Sequence, residues 1–220
     1  MDQNSPQPGF GLGMYQGVFI TFEGCEGSGK TTQAQKLKDY LEGRGKEVIL
    51  VREPGGTPVG EKIREMLLGS DGDMEIAPVT EALLFAADRA QLVRNVIRPA
   101  LERGLIVIGD RYVDSSLAYQ GVARGCGLEA VKNLNEWATD GLEPNLTLFL
   151  NLPVPEGLAR VGNTDADRIE SEKVEFHENV RSGYSMLQKI FSYRYAVIDA
   201  RGTPEEVHSL IISEVDKTIS

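Results

Sequence analysis

The residues whose types and spacing are best suited to chemistry form one glycine-rich segment with the pattern G-x-x-x-x-G-K-[ST]. It consists of Gly24, Cys25, Glu26, Gly27, Ser28, Gly29, Lys30 and Thr31. Glycines at these spacings let consecutive backbone N–H groups point inward and bind phosphate oxygens. Lys30 can reach the β- and γ-phosphates of a nucleoside triphosphate, and the Thr31 hydroxyl can bind Mg²⁺. We predict that this segment, with Thr32 beside it, binds such a nucleotide. The alternative is a glycine-rich turn with an unrelated lysine. We interpret the position of Cys25 in the loop as incidental, with a redox or nucleophilic role as a minor alternative that no histidine nearby in sequence supports.

A second candidate follows another apolar run, LIVIGD, which ends in Asp110 and continues into Arg111. A carboxylate at the end of a buried strand can hold Mg²⁺ or its water ligands, although an ordinary acid at a strand end has the same appearance. Arg111 carries a permanent charge on a planar fork, which can bind a phosphate group through two hydrogen bonds. The two segments together indicate a site for two phosphate groups and a magnesium ion.

The elements that must position these residues are short apolar runs that alternate with longer helical patterns. The runs are apolar almost throughout, as expected of strands buried on both faces, and they lie at Val18–Phe22, Glu47–Val51, Leu105–Ile108, Leu146–Leu150 and Tyr195–Ile198. The helical patterns lie at about Lys30–Gly43, Val59–Leu68, Thr80–Arg103, Leu128–Asp140, Lys173–Phe191 and Pro204–Ser213, with a bend or interruption at Pro99. This alternation predicts an α/β fold with three α/β/α layers around a five-stranded parallel sheet. Ligands of such sheets bind beyond the carboxyl ends of the strands, where both candidate segments begin.

Composition restricts the remaining classes of function. The chain has 220 residues and a formal net charge of −10, which argues against a general nucleic-acid binder. No apolar run approaches the roughly 20 residues that a membrane-spanning helix needs. Two cysteines are too few for a disulfide framework, so we expect a reducing compartment such as the cytoplasm. We predict one domain over residues 18–220, preceded by a mobile tail at residues 1–17 that is rich in glycine and proline.

Four segments resemble, in their order and spacing, thymidylate kinases of the bacterial type: GCEGSGKTT, REPGGTPVGEKIR, LLFAADR and DRYVDSSLAYQG. The resemblance spans about Val18 to Ser213. It implies the fold of the phosphate-loop nucleoside-monophosphate kinases with a small lid, and phosphorylation of dTMP to dTDP with Mg²⁺ and ATP in the synthesis of dTTP. It also implies a homodimer.

Two other interpretations stay open. The first is a related phosphate-loop kinase that acts on another nucleoside monophosphate or on a deoxynucleoside. The second is a nucleotide-operated switch or an assembly ATPase. The sequence lacks the N-K-x-D motif of a guanine-specific switch, and it carries residues that resemble an acceptor site.

The resemblance assigns roles to individual residues of the acceptor site. Glu26 would reach the 3′-hydroxyl of the deoxyribose, Arg111 would bind the 5′-phosphate, and Tyr119 would crowd the 2′ position of the ribose. Phe85 would stack on thymine, and Arg89 would hydrogen-bond the base. The remaining substrate residues belong to the monophosphate side of the cleft or to the base pocket: Glu53, Arg64, Ser115, Ser116 and Gln120.

The spacing of Phe85 and Arg89 supports this assignment independently. Residues four apart share one face of a helix, and an apolar ring beside a cationic fork suits a nucleobase with carbonyl edges. The alternatives are a core phenylalanine at Phe85 and, for Arg89, a surface salt bridge to Glu81 or Asp88.

The resemblance also implies a lid over ATP, at about residues 156–171, with the sequence EGLARVGNTDADRIES. Bacterial relatives carry the catalytic arginine in this lid, and Gly27 leaves none in the phosphate loop. Only Arg160 and Arg168 lie in the lid, and Arg168 is our candidate, with Arg160 the second choice or a helix-surface charge. The predicted catalytic set is therefore Lys30, Asp110, Arg111 and Arg168, with Thr31 and Asp110 as the magnesium ligands.

Overall fold

The protein is described by a computed structural model that covers residues 15–69, 75–162 and 167–219. Five strands pair in parallel as one sheet in the order β2-β3-β1-β4-β5. They are β1 Val18–Glu23, β2 Val48–Arg52, β3 Ile106–Asp110, β4 Leu146–Asn151 and β5 Tyr195–Asp199. This confirms the five-stranded parallel sheet that the apolar runs predict.

Every strand ends one or two residues later than predicted, because backbone pairing continues past the apolar residues. In β3, for example, Asp110 pairs in register with Phe22 of β1 and with Arg52 of β2. Each strand therefore ends on a polar or charged residue: Glu23, Arg52, Asp110, Asn151 and Asp199. In a parallel sheet these ends meet at one edge, and that edge positions the site.

The helices cover both faces of the sheet. They are α1 Lys30–Gly43, α2 Pro58–Leu68, α3 Pro78–Leu92, α4 Arg98–Glu102, α5 Val113–Ser116, α6 Leu128–Thr139, α7 Val154–Val161, α8 Val174–Ile190 and α9 Pro204–Ile219. One core lies between the sheet and helices α1 and α9, where Ile20 and Phe22 of β1 meet Leu37 and Ile211. Phe19, the neighbour of Ile20 in β1, packs into a core on the opposite face, because side chains alternate along a strand. These are the three predicted layers.

The long helix predicted at Thr80–Arg103 changes its hydrogen bonding before Pro99. It begins at Pro78, becomes a π-helical segment at Val93–Ile97 and resumes as α4. Proline has no N–H to donate to the carbonyl four residues earlier, and the preceding Arg98 N–H donates to the Val93 carbonyl instead. The interruption expected at Pro99 therefore takes the form of a wider turn upstream of it.

Two helical regions are absent from the sequence prediction, and a third is longer than predicted. Val113–Ala123 is helical, first as α5 and then as a π-helical segment at Leu117–Ala123, and α7 occupies the start of the predicted lid. Helix α9 continues to Ile219 rather than ending at Ser213.

The end of the predicted N-terminal tail is ordered against α4. Arg98 donates a hydrogen bond of 2.7 Å to the Tyr15 hydroxyl, and the Gly17 N–H donates one of 3.0 Å to the Leu101 carbonyl. The prediction of a mobile tail is thus wrong for residues 15–17, and its remainder lies outside the described residues. Within the described ranges, no helix is both long enough and apolar enough to cross a membrane.

Candidate active site

The phosphate loop connects β1 to α1, as its sequence pattern predicts. The Lys30 ammonium donates 2.8 Å to the Cys25 carbonyl and 3.4 Å to the Ser28 hydroxyl, so it is held inside the loop. Burial lowers the pKa of Lys30, and the nearby Arg111 adds to the effect. Burial also raises the pKa of the Cys25 thiol to about 11, so this thiol is protonated at neutral pH and unsuited to nucleophilic chemistry.

A pair of glycines brings the phosphate loop into direct contact with α7. A Cβ atom on Gly27 would lie 2.0 Å from the Gly157 carbonyl oxygen, and one on Gly157 would lie 2.2 Å from the Glu26 carbonyl oxygen. Gly27 also has a φ of 67°, in the left-handed region. Only glycine at both positions permits this approach, which places α7, at the start of the predicted lid, directly on the loop backbone.

The two predicted magnesium ligands lie next to each other. The Thr31 hydroxyl donates a hydrogen bond of 2.5 Å to Asp110 Oδ2, which joins the start of α1 to the end of β3. In the described ranges, no group of three or more His, Cys, Asp or Glu side chains could hold a metal by itself. A hydroxyl and one carboxylate suit Mg²⁺, which takes oxygen ligands and completes its shell with water and nucleotide phosphates.

Arg111 and Glu26 form an ion pair between the loop and the end of β3. The Arg111 guanidinium donates 2.7 and 2.8 Å to the two carboxylate oxygens of Glu26, and the Tyr119 hydroxyl donates 2.8 Å to the same carboxylate. Burial alone would raise the pKa of Glu26, but Arg111 and Lys30 outweigh it and hold the pKa at about 2. Arg111 has a φ of 73°, an uncommon backbone conformation for arginine that concentrates at functional sites.

The predicted base side of the cleft is built on one face of α3. Glu81, Phe85 and Arg89 follow each other at intervals of four residues, and all three are buried. Arg89 donates to the carboxylate of Glu53 at 2.8 and 2.5 Å, to the Ser116 hydroxyl, to the Asn135 amide oxygen and to the Tyr112 carbonyl. A surface salt bridge to Glu81 or Asp88 is therefore the wrong interpretation of Arg89.

These side chains line one cleft of about 560 Å³. Sixteen of the predicted site residues line it: Glu26, Gly27, Gly29, Lys30, Thr31, Thr32, Glu53, Arg64, Phe85, Arg89, Asp110, Arg111, Ser115, Ser116, Tyr119 and Gln120. Gly24, Cys25 and Ser28 belong to the same loop without lining the cleft. The cleft thus joins the predicted triphosphate side to the predicted monophosphate side.

Comparison with known proteins identifies the family. A model of the thymidylate kinase family matches residues 22–211. A thymidylate kinase of Caldanaerobacter subterraneus subsp. tengcongensis is 48% identical over 202 residues, which cover 92% of this chain and 96% of the relative. The thymidylate kinase of Thermoanaerobacter pseudethanolicus is 49% identical, with coverages of 92% and 98%, and that of Desulfovibrio desulfuricans is 48% identical, with coverages of 86% and 91%. The chain belongs to the thymidylate kinase family.

The two lid arginines of this thymidylate kinase lie in different places. Arg168 does not line the cleft: it donates 2.5 Å to Glu81 Oε2 and 3.0 Å to the Leu67 carbonyl, which fixes it beside α2 and α3. Arg160, the second choice, lines the cleft and donates 3.2 Å to the Ala200 carbonyl. The catalytic role of Arg168 stays a prediction, and the geometry favours Arg160.

Sequence reasoning missed several polar residues that support the site. Glu23, at the end of β1, is buried and accepts hydrogen bonds from the Ser115 hydroxyl at 2.6 Å and the Tyr184 hydroxyl at 2.8 Å. Burial and the nearby Asp114 raise the pKa of Glu23 to about 7. A charged residue at the end of an apolar run was the available signal, as it was for Asp110. The Ser115 hydroxyl, predicted to line the base pocket, is engaged by this carboxylate.

Proposed function

We propose that the cleft transfers the γ-phosphoryl group of ATP directly to the 5′-phosphate of dTMP, giving ADP and dTDP. Membership of the thymidylate kinase family provides the overall reaction. The observation that supports the mechanism is that Lys30 of the phosphate loop and the Arg111–Glu26 pair line the same cleft as Phe85. A donor site and an acceptor site that share one cleft allow in-line transfer without a covalent intermediate.

On the acceptor side, Arg111 would exchange the Glu26 carboxylate for the 5′-phosphate of dTMP. The Glu26 carboxylate and the 5′-phosphate are both anions that offer two acceptor oxygens side by side. The planar guanidinium can therefore bind either of them through two hydrogen bonds. The released Glu26 carboxylate would accept a hydrogen bond from the 3′-hydroxyl of the deoxyribose. A phosphate monoester is largely a dianion at neutral pH, so no general base is needed to activate it.

On the donor side, catalysis would consist of alignment and neutralisation of charge. Lys30 and the loop N–H groups would hold the β- and γ-phosphates, and a lid arginine would stabilise the transferring group. Thr31 and Asp110 would hold Mg²⁺, which when bound neutralises phosphate charge. Closure of the lid would exclude water, so that the phosphoryl group reaches dTMP rather than being hydrolysed.

We propose further that the protein is a cytoplasmic homodimer. Both cysteines, Cys25 and Cys126, are free thiols, as is usual in a reducing compartment. Helices α2 and α3 pack against each other and carry four apolar side chains that are about half exposed or more: Val59, Met66, Val79 and Leu83. Such a surface on adjacent helices supports a contact with a second copy of the chain.

The test is ADP production from Mg·ATP, measured against dTMP, dUMP, UMP, CMP, dCMP, AMP and GMP. We expect strong preference for dTMP, and almost no turnover in the Lys30→Ala variant. A Phe85→Ala variant should raise the KM for dTMP far more than the KM for ATP, because only the base stacks on this ring. Equal effects on both KM values would contradict the base placement, and unchanged turnover in Lys30→Ala would contradict the donor site.

A further inference from the structure

Glu81 is the centre of a buried hydrogen-bond cluster beside the base side of the cleft. Its side chain is only 1% exposed. Glu81 Oε1 accepts from Gln120 Nε2 at 2.8 Å and from Arg124 Nε at 3.2 Å. Glu81 Oε2 accepts from Arg168 Nη2 at 2.5 Å and from Arg124 Nη2 at 3.3 Å. Every partner of this carboxylate is a hydrogen-bond donor.

The chemistry of this carboxylate fixes which way the Gln120 amide points. Burial would raise the pKa of Glu81, but the hydrogen bonds from Gln120, Arg168 and Arg124 bring it below its usual range. An ionised carboxylate can only accept, so the end of the Gln120 amide that faces it must be the NH₂ group. The amide oxygen then points the other way, and no described residue donates a hydrogen bond to it.

The two helical segments place this oxygen next to the proposed base site. Ser116 contacts Arg89, and Gln120, one turn later, contacts Glu81, so Val113–Ala123 runs antiparallel to α3. Phe85 lies one helical turn, about 6 Å, from each of Glu81 and Arg89. A base stacked on Phe85 therefore has the Gln120 amide on one side and the Arg89 guanidinium on the other, and all three residues line the cleft.

We propose that Glu81 is a positioning residue for base selection: it holds the Gln120 amide oxygen toward the base, so the cleft prefers a pyrimidine with a proton on N3. Thymine and uracil carry this proton, and their N3–H group would donate a hydrogen bond to Gln120 Oε1. Cytosine has a lone pair on N3, which would face the amide oxygen without a proton between them. The inference rests on the proposed placement of the base on Phe85.

The first test compares kcat/KM for dTMP with kcat/KM for dCMP in the Glu81→Gln variant. A glutamine can accept or donate, so the Gln120 amide is free to turn over. We expect the ratio of the two kcat/KM values to fall about tenfold or more, since one neutral hydrogen bond is worth about that factor. The matched control is Arg124→Gln, which removes the two contacts of Arg124 with Glu81 and leaves those of Gln120 and Arg168 in place. Its ratio should equal that of the native enzyme.

A native-protein measurement covers the case in which Glu81→Gln does not fold. The substrate is the 5-fluoro analogue of dUMP, whose N3 proton is more acidic than that of dTMP. The ratio of its kcat/KM to that for dTMP should fall as pH rises past its N3 pKa, because titration of groups on the enzyme affects both substrates alike. A ratio that is independent of pH would overturn the proposal.

A Gln120→Met variant separates this inference from the proposed function. If Gln120→Met leaves the ratio of dTMP to dCMP unchanged, the base placement itself is wrong and the inference falls with it. If Gln120→Met lowers the ratio but Glu81→Gln does not, the base placement stands and only the role of Glu81 is overturned. If Arg124→Gln lowers the ratio of dTMP to dCMP as much as Glu81→Gln does, the role of Glu81 is also overturned. The loss of selectivity would then follow from any disruption of the hydrogen-bond cluster.

Discussion

Glu26 is the residue at which the two sides of the cleft meet. It belongs to the phosphate loop by sequence, yet its carboxylate is bonded to Arg111 and Tyr119 of the acceptor side. The resemblance to thymidylate kinases predicts a role for each of the three residues. It does not predict that they bond to each other, because Glu26 and Arg111 lie 85 positions apart and meet only through the register of β1 and β3.

The Glu26→Gln variant should lose stability at neutral pH and recover relative to the native protein in acid. The folded-state pKa of Glu26 is about 2, below its usual value of 4.5, so the native carboxylate contributes stability above about pH 4.5 and loses it as pH falls toward 2. The deficit at pH 7 should be about 3–4 kcal/mol, because the pKa lies about 2.5 units below its usual value and each unit is worth roughly 1.4 kcal/mol.

Urea unfolding of both proteins from pH 7 to pH 2.5 measures this deficit. The control is Glu42→Gln, which removes an exposed partner of Lys38 and should cost far less stability at neutral pH. A deficit for Glu26→Gln that is independent of pH would show that the ion pair with Arg111 is not its source.

At the scale of elements, periodicity and apolar character predict all five strands and seven of the helices, because one predicted pattern covers both α3 and α4. They do not predict the helical Val113–Ala123 or α7. Val113–Ala123 buries four polar residues, each hydrogen-bonded to another buried polar side chain: Asp114, Ser115, Ser116 and Gln120. Buried polar residues carry no apolar period. Helix α7 has Pro155 in its first turn, where proline is tolerated, and Gly157 farther along, where glycine lowers the helix propensity. Gly157 lies so close to the Glu26 carbonyl oxygen of the phosphate loop that no side chain fits at this position.

The placement of α7 against the phosphate loop leads to a prediction about the lid arginines. Arg160→Ala should lower kcat by about 10²-fold, the typical loss when a stabilising donor is removed from a transition state. Arg168→Ala should affect kcat less, since Arg168 bonds to Glu81 and to the Leu67 carbonyl. Steady-state kinetics with saturating ATP and dTMP distinguish the two. A larger loss of kcat in Arg168→Ala would mean that lid closure carries Arg168 from Glu81 to the phosphates.

At the scale of the whole molecule, the sequence indicates the three layers but leaves the order of strands open. Apolar runs identify which segments are buried on both faces, whereas the order β2-β3-β1-β4-β5 depends on how helices of different lengths pack across the sheet. The same limit applies to the surface. An exposed Leu83 and a buried Leu92 lie on the same helix, and only the packed structure distinguishes them.

The proposed homodimer contact can be tested at α2 and α3. A double variant, Val59→Glu with Leu83→Glu, adds charge to the exposed apolar surface without entering the core, so it should give a folded monomer. Sedimentation or light scattering gives the mass, and circular dichroism checks the fold. The control is Trp137→Glu on α6, where the side chain is 85% exposed, and it should leave the mass unchanged. A double variant with native mass would place the contact elsewhere.

The contact between Gly27 and Gly157 limits how this enzyme can change over evolutionary time. Position 27 is where a phosphate loop could carry its own arginine, yet any side chain there meets the Gly157 carbonyl. A step toward such a loop would first displace α7 and, with it, the start of the lid that carries Arg160. A lineage that begins from this packing therefore gains no arginine in the phosphate loop unless both positions change together.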